Sequence, residues 1–404
     1  MTDSSWRQRG ERVLLRPVPP LLRARGELAE RCPWYFTGAS GARLRALDGR
    51  DYLDLEMGRG PNILGYGHPV TDAARAAFAP ATARTALYHP VEVELAEILV
   101  DQFPCAERVL FAKNGSDACT AAVRVARTVT NRPIVVSSGY HGFGDWCVAD
   151  DPTVAGFPDG FKGHTVSLAL NDCEALAAAF DRHAGQVAGL IVEPAHRLLP
   201  DPRFLAACRA LADAHGAVLI FDEVVTAFRL DLGGAQRRFG VVPDLACLGK
   251  AMANGLPISA LVGRRDLMEA LERSFFSMTF MHDNATFATA KACVNHLIET
   301  GALESIARKG ESLRRAFDEA ARRHGLGARA LGFAARLDLD FPLVGPLDAT
   351  EQLAVFGAAL FQHGILPTAS IFACEMMTER DIAEAGAAFG QGMASIREHA
   401  ERRG

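Results

Sequence analysis

Between residues 90 and 265 the chain repeats one pattern: a short apolar run, a few turn-prone residues, then a longer stretch with apolar positions at helical spacing. The apolar runs are Arg108–Phe111, Pro133–Ser137, Gly189–Glu193, Leu219–Phe221, Asp244–Leu248 and Ile258–Gly263. Between them lie helical stretches, Glu92–Phe103 ahead of the first, then one from Gly115 through Thr128, one capped by Asn171-Asp172 and running to His183, and Phe204–His215. Uninterrupted apolar runs belong to strands covered on both faces, and strands that alternate with helices build a mostly parallel sheet. The pattern therefore predicts an α/β fold. Ligands of such sheets gather outside the carboxyl ends of the strands, so the polar residues closing each run carry the functional information.

Two of these ends stand out. Leu219–Phe221 closes in Asp222-Glu223, and Asp244–Leu248 is followed by Gly249-Lys250. The chain has only five lysines, Lys113, Lys162, Lys250, Lys291 and Lys309, and Lys250 alone lies in an apolar, glycine-flanked strand end. Desolvation lowers an amine pKa and makes the amine a nucleophile for carbonyls. An acid and a lysine at neighbouring strand ends can hold opposite edges of one flat cofactor. A helix cap or a surface turn would use Asp222-Glu223 equally well. After Arg108–Phe111, the run Lys113-Asn114-Gly115-Ser116-Asp117 opens a helix. Free N–H groups and the helix dipole suit such a terminus to a phosphate, although the same residues also read as an ordinary N-cap.

The run Asp222–Arg229 (DEVVTAFR), the G-G-A-Q-x-x-F-G-V-x-P-D-L that follows, and L-G-K-A-x-A-x-G-L-P-I around Lys250 resemble the class III aminotransferases. These are pyridoxal-phosphate (PLP) enzymes of fold type I, and the branch most similar here contains glutamate-1-semialdehyde aminomutase. The resemblance implies a large domain with a mostly parallel central sheet and a smaller α+β domain drawn from both termini. It implies that Lys250 forms the internal aldimine and that Asp222 pairs with the pyridine nitrogen. Gly115-Ser116 would stand in the family's phosphate cup, with Asp117 one methylene shorter than the usual glutamate. Tyr140, in Tyr140-His141-Gly142, would stack on the ring with His141 behind it. Glu193, in the V-E-P-like strand end, and Val224 complete the implied cofactor contacts. Thr279 matches the threonine that reaches the neighbouring subunit's cofactor phosphate, so the resemblance also implies a homodimer with shared active sites.

The chain departs from the family at the substrate side. Arg59 replaces the aromatic that commonly precedes the G-P of the loop Gly58–Pro69; it reads either as an exposed loop arginine or as a partner for a substrate carboxylate or phosphate. Ala195-His196-Arg197 replaces the residues facing the ring's phenolic edge, which makes His196 and Arg197 candidates for substrate contact. Met281–Asn284 replaces G-G-N-P, and the run Leu366–Phe372 lacks the acid of the aminomutase branch. The implied reaction is transfer of an amino group between an amine or amino-acid donor and a ketone or aldehyde acceptor, with aminomutase, racemase or decarboxylase chemistry as the alternative on the same fold. A dinucleotide-dependent dehydrogenase shares the outline, but Gly58-Arg59-Gly60 lacks the third glycine of its phosphate loop. A non-catalytic relative would lose Lys250 or Asp222, and both are present.

A chain of 404 residues accommodates two domains. The expected division is 1–75 (an N-terminal segment and hairpin), 76–300 (the PLP-binding domain) and 301–404. Residues 1–31 are rich in arginine and proline with room for a helix. PWYF followed by Arg43–Leu55, with Asp48-Gly49 at the turn, predicts a hairpin. Beyond the helix expected at Ala285–Thr300, a strand is expected over Phe333–Phe341 and helices at Glu351–His363 and from Thr378 onward. A net charge of −5 with scattered arginines argues against nucleic acid, and no run reaches membrane-spanning length. Nine cysteines without a C-x-x-C pair point to reduced thiols, a cytoplasmic setting and no metal site.

Overall fold

The computed structural model describes residues 2–19, 22–23, 27–78 and 86–403. They form two compact units, a terminal one of Met1–His68 with Glu304–Gly404 and a central one of Pro69–Leu303. In the arginine-rich opening stretch, helices span Asp3–Val13 and Glu27–Arg31, while residues 1, 20–21 and 24–26 lie outside the described residues. Strands β1 (Phe36–Ser40), β2 (Arg43–Ala46) and β3 (Asp51–Leu53) follow as an antiparallel meander. Its second turn is the expected one: Gly49 takes φ 81°, and the Asp48 carboxylate accepts the Arg50 N–H at 2.9 Å.

The central unit carries β4 (Arg108–Ala112), β5 (Ile134–Ser138), β6 (Thr165–Ser167), β7 (Val187–Val192), β8 (Val218–Asp222), β9 (Leu245–Leu248) and β10 (Ser259–Gly263). They lie in the order β4-β10-β9-β8-β7-β5-β6. Only β10 is antiparallel to its neighbours, so the other six strands point the same way and end at one edge. Every residue of β5, β7, β8, β9 and β10 is buried, which explains why these runs are continuously apolar rather than alternating. One face is covered by the helix Gly115–Thr130 through Ala118, Ala122 and Val125. The other is covered by the helices Cys173–Arg182 and Pro202–His215 through Leu176, Phe180, Phe204 and Cys208.

The rest of the terminal unit holds β11 (Arg329–Phe333), β12 (Arg336–Asp340) and β13 (Ser370–Phe372), antiparallel in that order. Helices Ala349–Gln362 and Glu379–Arg403 accompany them. Phe317, Phe341, Phe356 and Phe389 form its aromatic core, with ring centroids 5.3–5.9 Å apart. The strand expected over Phe333–Phe341 is present as β12, but Phe333 closes β11 and the chain turns at Ala334-Ala335 between them. That turn has no glycine, asparagine or aspartate of its own. Its space comes from elsewhere, because a Cβ on Gly310 would lie 1.7 Å from the Ala334 carbonyl oxygen. The chain thus has the α/β architecture expected of it, a central unit around a mostly parallel sheet and a smaller α+β unit built from both termini.

Candidate active site

The edge where β4, β5, β7, β8 and β9 end collects most of the residues singled out above. Asp222 closes β8 and is 4% exposed. Its Oδ2 lies 2.8 Å from Nδ1 of His141 and 3.4 Å from the Cys119 thiol, and its Oδ1 accepts the Val224 N–H at 3.1 Å. Burial alone would push the His141 imidazole down, but hydrogen bonds to Asp222 and Cys119, with the negative charge at Asp222, lift it to about 10. At neutral pH the imidazole therefore keeps its proton beside Asp222.

Glu223, the next residue, faces the opposite way, as successive strand side chains do. It is fully buried and accepts from the Thr226 hydroxyl, the Ala235 and Gln236 N–H groups and the Gln236 side chain. Gly234, at φ 69°, makes this approach feasible: a Cβ there would sit 2.3 Å from Oε2 of Glu223. The two adjacent acids thus divide their work. Glu223 ties the loop after β8 to the following helix, and Asp222 faces the sheet edge.

Lys250 comes from the neighbouring strand. Asp222 pairs with Cys247 on β9, whose carbonyl accepts the Glu223 N–H at 2.8 Å. Three residues later Lys250, partly buried and at φ 42°, opens the short turn Lys250–Ala253. A left-handed lysine is a strained choice that the surrounding fold imposes.

The third wall is the start of the helix Gly115–Thr130. Asp117 reaches back to accept the Asn114 N–H at 2.7 Å, while the first-turn N–H groups of Gly115 and Ser116 have no partner within the helix by its geometry. This terminus is locked to its neighbours by missing side chains. A Cβ on Gly115 would meet Val224 Cγ2 at 2.9 Å, and one on Gly142 would meet Ser116 Oγ at 1.9 Å. A Cβ on Gly249 would lie 3.4 Å from Val224 Cγ1, so Val224 stands between the helix start and the residue before Lys250. At the β5 and β7 ends, Tyr140 is exposed and donates its N–H to Glu193 Oε2 at 3.3 Å; His196 Nε2 is 3.8 Å from the same oxygen.

Three further candidates lie on other segments. Arg197 is exposed on the loop after β7. Thr279 is exposed in a turn whose far end is anchored by Asp283 to Lys113 and by His282 to Glu92, each at 2.8 Å. Arg59 belongs to the terminal unit, exposed and at φ 67°, with Glu56 Oε1 3.9 Å away. It borders a cavity of about 380 Å³ within that unit, lined also by Trp34, Tyr35, Tyr52, Tyr66 and Leu366. The sequence reading missed Cys119. Its position three residues after Ser116, one turn along the helix face that opens at the phosphate cup, was the available signal.

The donor set fits a phosphorylated pyridine ring. An N–H-bearing helix start suits its phosphate, a buried carboxylate its ring nitrogen, and a partly buried lysine on the next strand its aldehyde. Comparison with known proteins agrees. The family model described as Aminotransferase class-III matches residues 27–336. The chain is 37% identical over 311 residues, 72% of each chain, to a glutamate-1-semialdehyde 2,1-aminomutase of Desulforudis audaxviator (strain MP104C). A structure of the PLP internal aldimine form of the Sphingopyxis sp. MTA144 FumI protein superposes with a TM-score of 0.89 at 28% identity, over 98% of this chain and 96% of that one. A structure of a transaminase with PLP bound does so with a TM-score of 0.91 at 26% identity, over 98% of both. The chain belongs to the class III aminotransferase family, the PLP-dependent transaminases of fold type I.

Proposed function

We propose that the cluster at the carboxyl edge of the central sheet holds pyridoxal phosphate covalently through Lys250, and that the chain moves an amino group between an amine or amino-acid donor and a ketone or aldehyde acceptor. The observation that carries this reading is the buried Asp222–His141 pair at the end of β8, with Lys250 on the adjoining strand. Bound pyridoxal phosphate supplies an electron sink for the pair left behind when the substrate carbon gives up its proton. The chain's own residues supply the rest. Asp222, held by His141, would face the ring nitrogen and favour its protonated form. Gly115 and Ser116 receive the phosphate at the helix start, and Tyr140 covers the ring. The Lys250 amine would be the base that holds and moves the proton at the substrate carbon.

Thr279 is proposed to act across a homodimer. The exposure of Tyr88, Phe275 and Phe280 in the central unit supports a second copy as the cover of that surface. Nine free thiols support a reducing, cytoplasmic setting, and among the described residues no helix is long and apolar enough to cross a membrane. Arg59, His196 and Arg197 are proposed as substrate contacts.

The aminomutase names of the curated relatives favour a second reading, in which donor and acceptor are one molecule. Purified protein loaded with pyridoxal phosphate should absorb as a protonated lysine adduct and bleach with an amine donor. Borohydride added before any donor should fix the label on Lys250. Colour restored by a separate keto acceptor supports transamination; product formed with no second substrate supports the aminomutase. Labelling at another lysine would remove Lys250 from its role.

A further inference from the structure

The sheet of the terminal unit carries a guanidinium, Arg336, that has an ion partner in Asp338 and lies 5.9 Å from the Phe372 ring centroid, yet leaves hydrogen-bond donors unused. On β12, Leu337 and Leu339 are buried on the core side, while Arg336 and Asp338 share the other face. Arg336 pairs across the ladder with Phe372, and Asp338 with Ser370. Both charged side chains are nonetheless shielded, 12% and 16% exposed. A guanidinium has five N–H donors, yet Nε and Nη1 of Arg336 are out of solvent and bond to nothing among the described residues. Its Nη2 lies 2.9 Å from Asp338 Oδ2, an ion pair without hydrogen-bond alignment, and that oxygen accepts no hydrogen bond among the described residues. Oδ1 is taken by the Ser370 hydroxyl at 2.7 Å.

A desolvated guanidinium with idle donors is costly, and a fold that needed only an internal ion pair would align it. Nor does the adjoining strand neutralise it, since Leu366–Cys374 contains no acid. We propose that Arg336 is the receptor for a small carboxylate, with Asp338 taking an N–H or O–H donor carried by the same ligand. An amino or hydroxy acid has this pair of groups. The ligand chemistry has two sources: the carboxylate of the amino donor or keto acceptor, which rests on the aminotransferase reading, or a free carboxylate acting as an effector.

The test uses the loaded enzyme, with propionate and lactate as binding probes and alanine and isopropylamine as donors that differ only by the carboxylate. Propionate should raise the thermal midpoint of the wild type saturably, the Arg336→Lys variant less, and Arg336→Met not at all. Lactate should bind more tightly than propionate to the wild type, and no better than propionate to Asp338→Asn. If the substrate is the source, Arg336→Met raises KM for alanine by about 10- to 100-fold and leaves isopropylamine unchanged. If an effector is the source, both KM values stand and the variant loses any response of the isopropylamine rate to propionate. The proposal is overturned if propionate gives the wild type no saturable shift, or if Arg336→Met retains that shift. Failure of both amines to bleach the wild type would instead count against the aminotransferase reading, while the propionate shift would still decide the receptor.

Discussion

The buried charges of the central sheet and of the terminal sheet are treated differently. At the carboxyl edge of β8, Glu223 has four hydrogen-bond donors and Asp222 has three, one of them a charged imidazolium. On β12, two nitrogens of Arg336 and one oxygen of Asp338 make no hydrogen bond among the described residues. Burying a charge is tolerable when its partners are in place and expensive when they are not. The carboxylates of the first arrangement are a finished scaffold that holds a site in shape, although Nε2 of His141 beside them bonds to nothing among the described residues. The second is a receptor whose partner comes from outside. The contrast can be broken by experiment at each charge.

The largest effect belongs to Lys250, the one group expected to form a bond. Lys250→Ala should lower activity by about 10³-fold or more and abolish borohydride-stable labelling, while fold and thermal midpoint without the cofactor stay close to wild type. A variant that kept its label would show that this edge is not where the cofactor is held. The next largest effect belongs to Glu223. Glu223→Ala strands the Ala235 and Gln236 N–H groups in a dry interior and should cost about 3 kcal/mol, seen as a lower thermal midpoint with or without cofactor. If that midpoint barely moved, bonded charge would not be what fixes this edge.

These two acids also show what the sequence carries. Asp222 and Lys250 were legible because each closes an apolar run, and strand ends in a parallel sheet share one edge. The opposite duties of Asp222 and Glu223 were not legible from the pair itself, since a cap, a turn and a site use the same residues. What separates them is the two-residue period of the strand together with Gly234, twelve positions on, which admits Glu223 alone. The hairpin at Ala334-Ala335 was missed for a similar reason: the glycine that accommodates it is Gly310, on a different element. Arg336-Leu337-Asp338-Leu339 alternates as a half-exposed strand should. That its polar face is shielded depends on tertiary packing, which no local pattern records.

His141 gives a smaller effect with a definite sign. It holds its proton to about 10 in the folded chain, against about 6.5 for an unperturbed histidine. A folded-state pKa raised in this way contributes stability that is complete below about pH 6.5 and is lost as pH rises towards 10. The difference in thermal midpoint between the wild type and His141→Gln should therefore be widest near pH 6 and close as pH rises to 10. The cofactor's absorbance should titrate differently in the variant, because Asp222 would face the ring without its imidazolium. A difference independent of pH would mean that His141 fills space and carries no charge to Asp222.

The smallest effect on stability is expected where the charge is least satisfied. Replacing a bonded buried ion leaves its partners stranded, whereas replacing one that lacks partners removes a desolvation cost and strands little. Arg336→Met keeps much of the side chain's length and leaves Asp338 its bond from Ser370. The thermal midpoint of the cofactor-loaded, carboxylate-free protein should thus change by the equivalent of about 1 kcal/mol or less, in either direction. Asp338 then loses the guanidinium 2.9 Å away, which works against the gain and keeps the net change small. The double variant Arg336→Met, Asp338→Asn should consequently be at least as stable as the single one. A drop for Arg336→Met as deep as that for Glu223→Ala would erase the distinction between the two sheets and make Arg336 one more piece of finished scaffold.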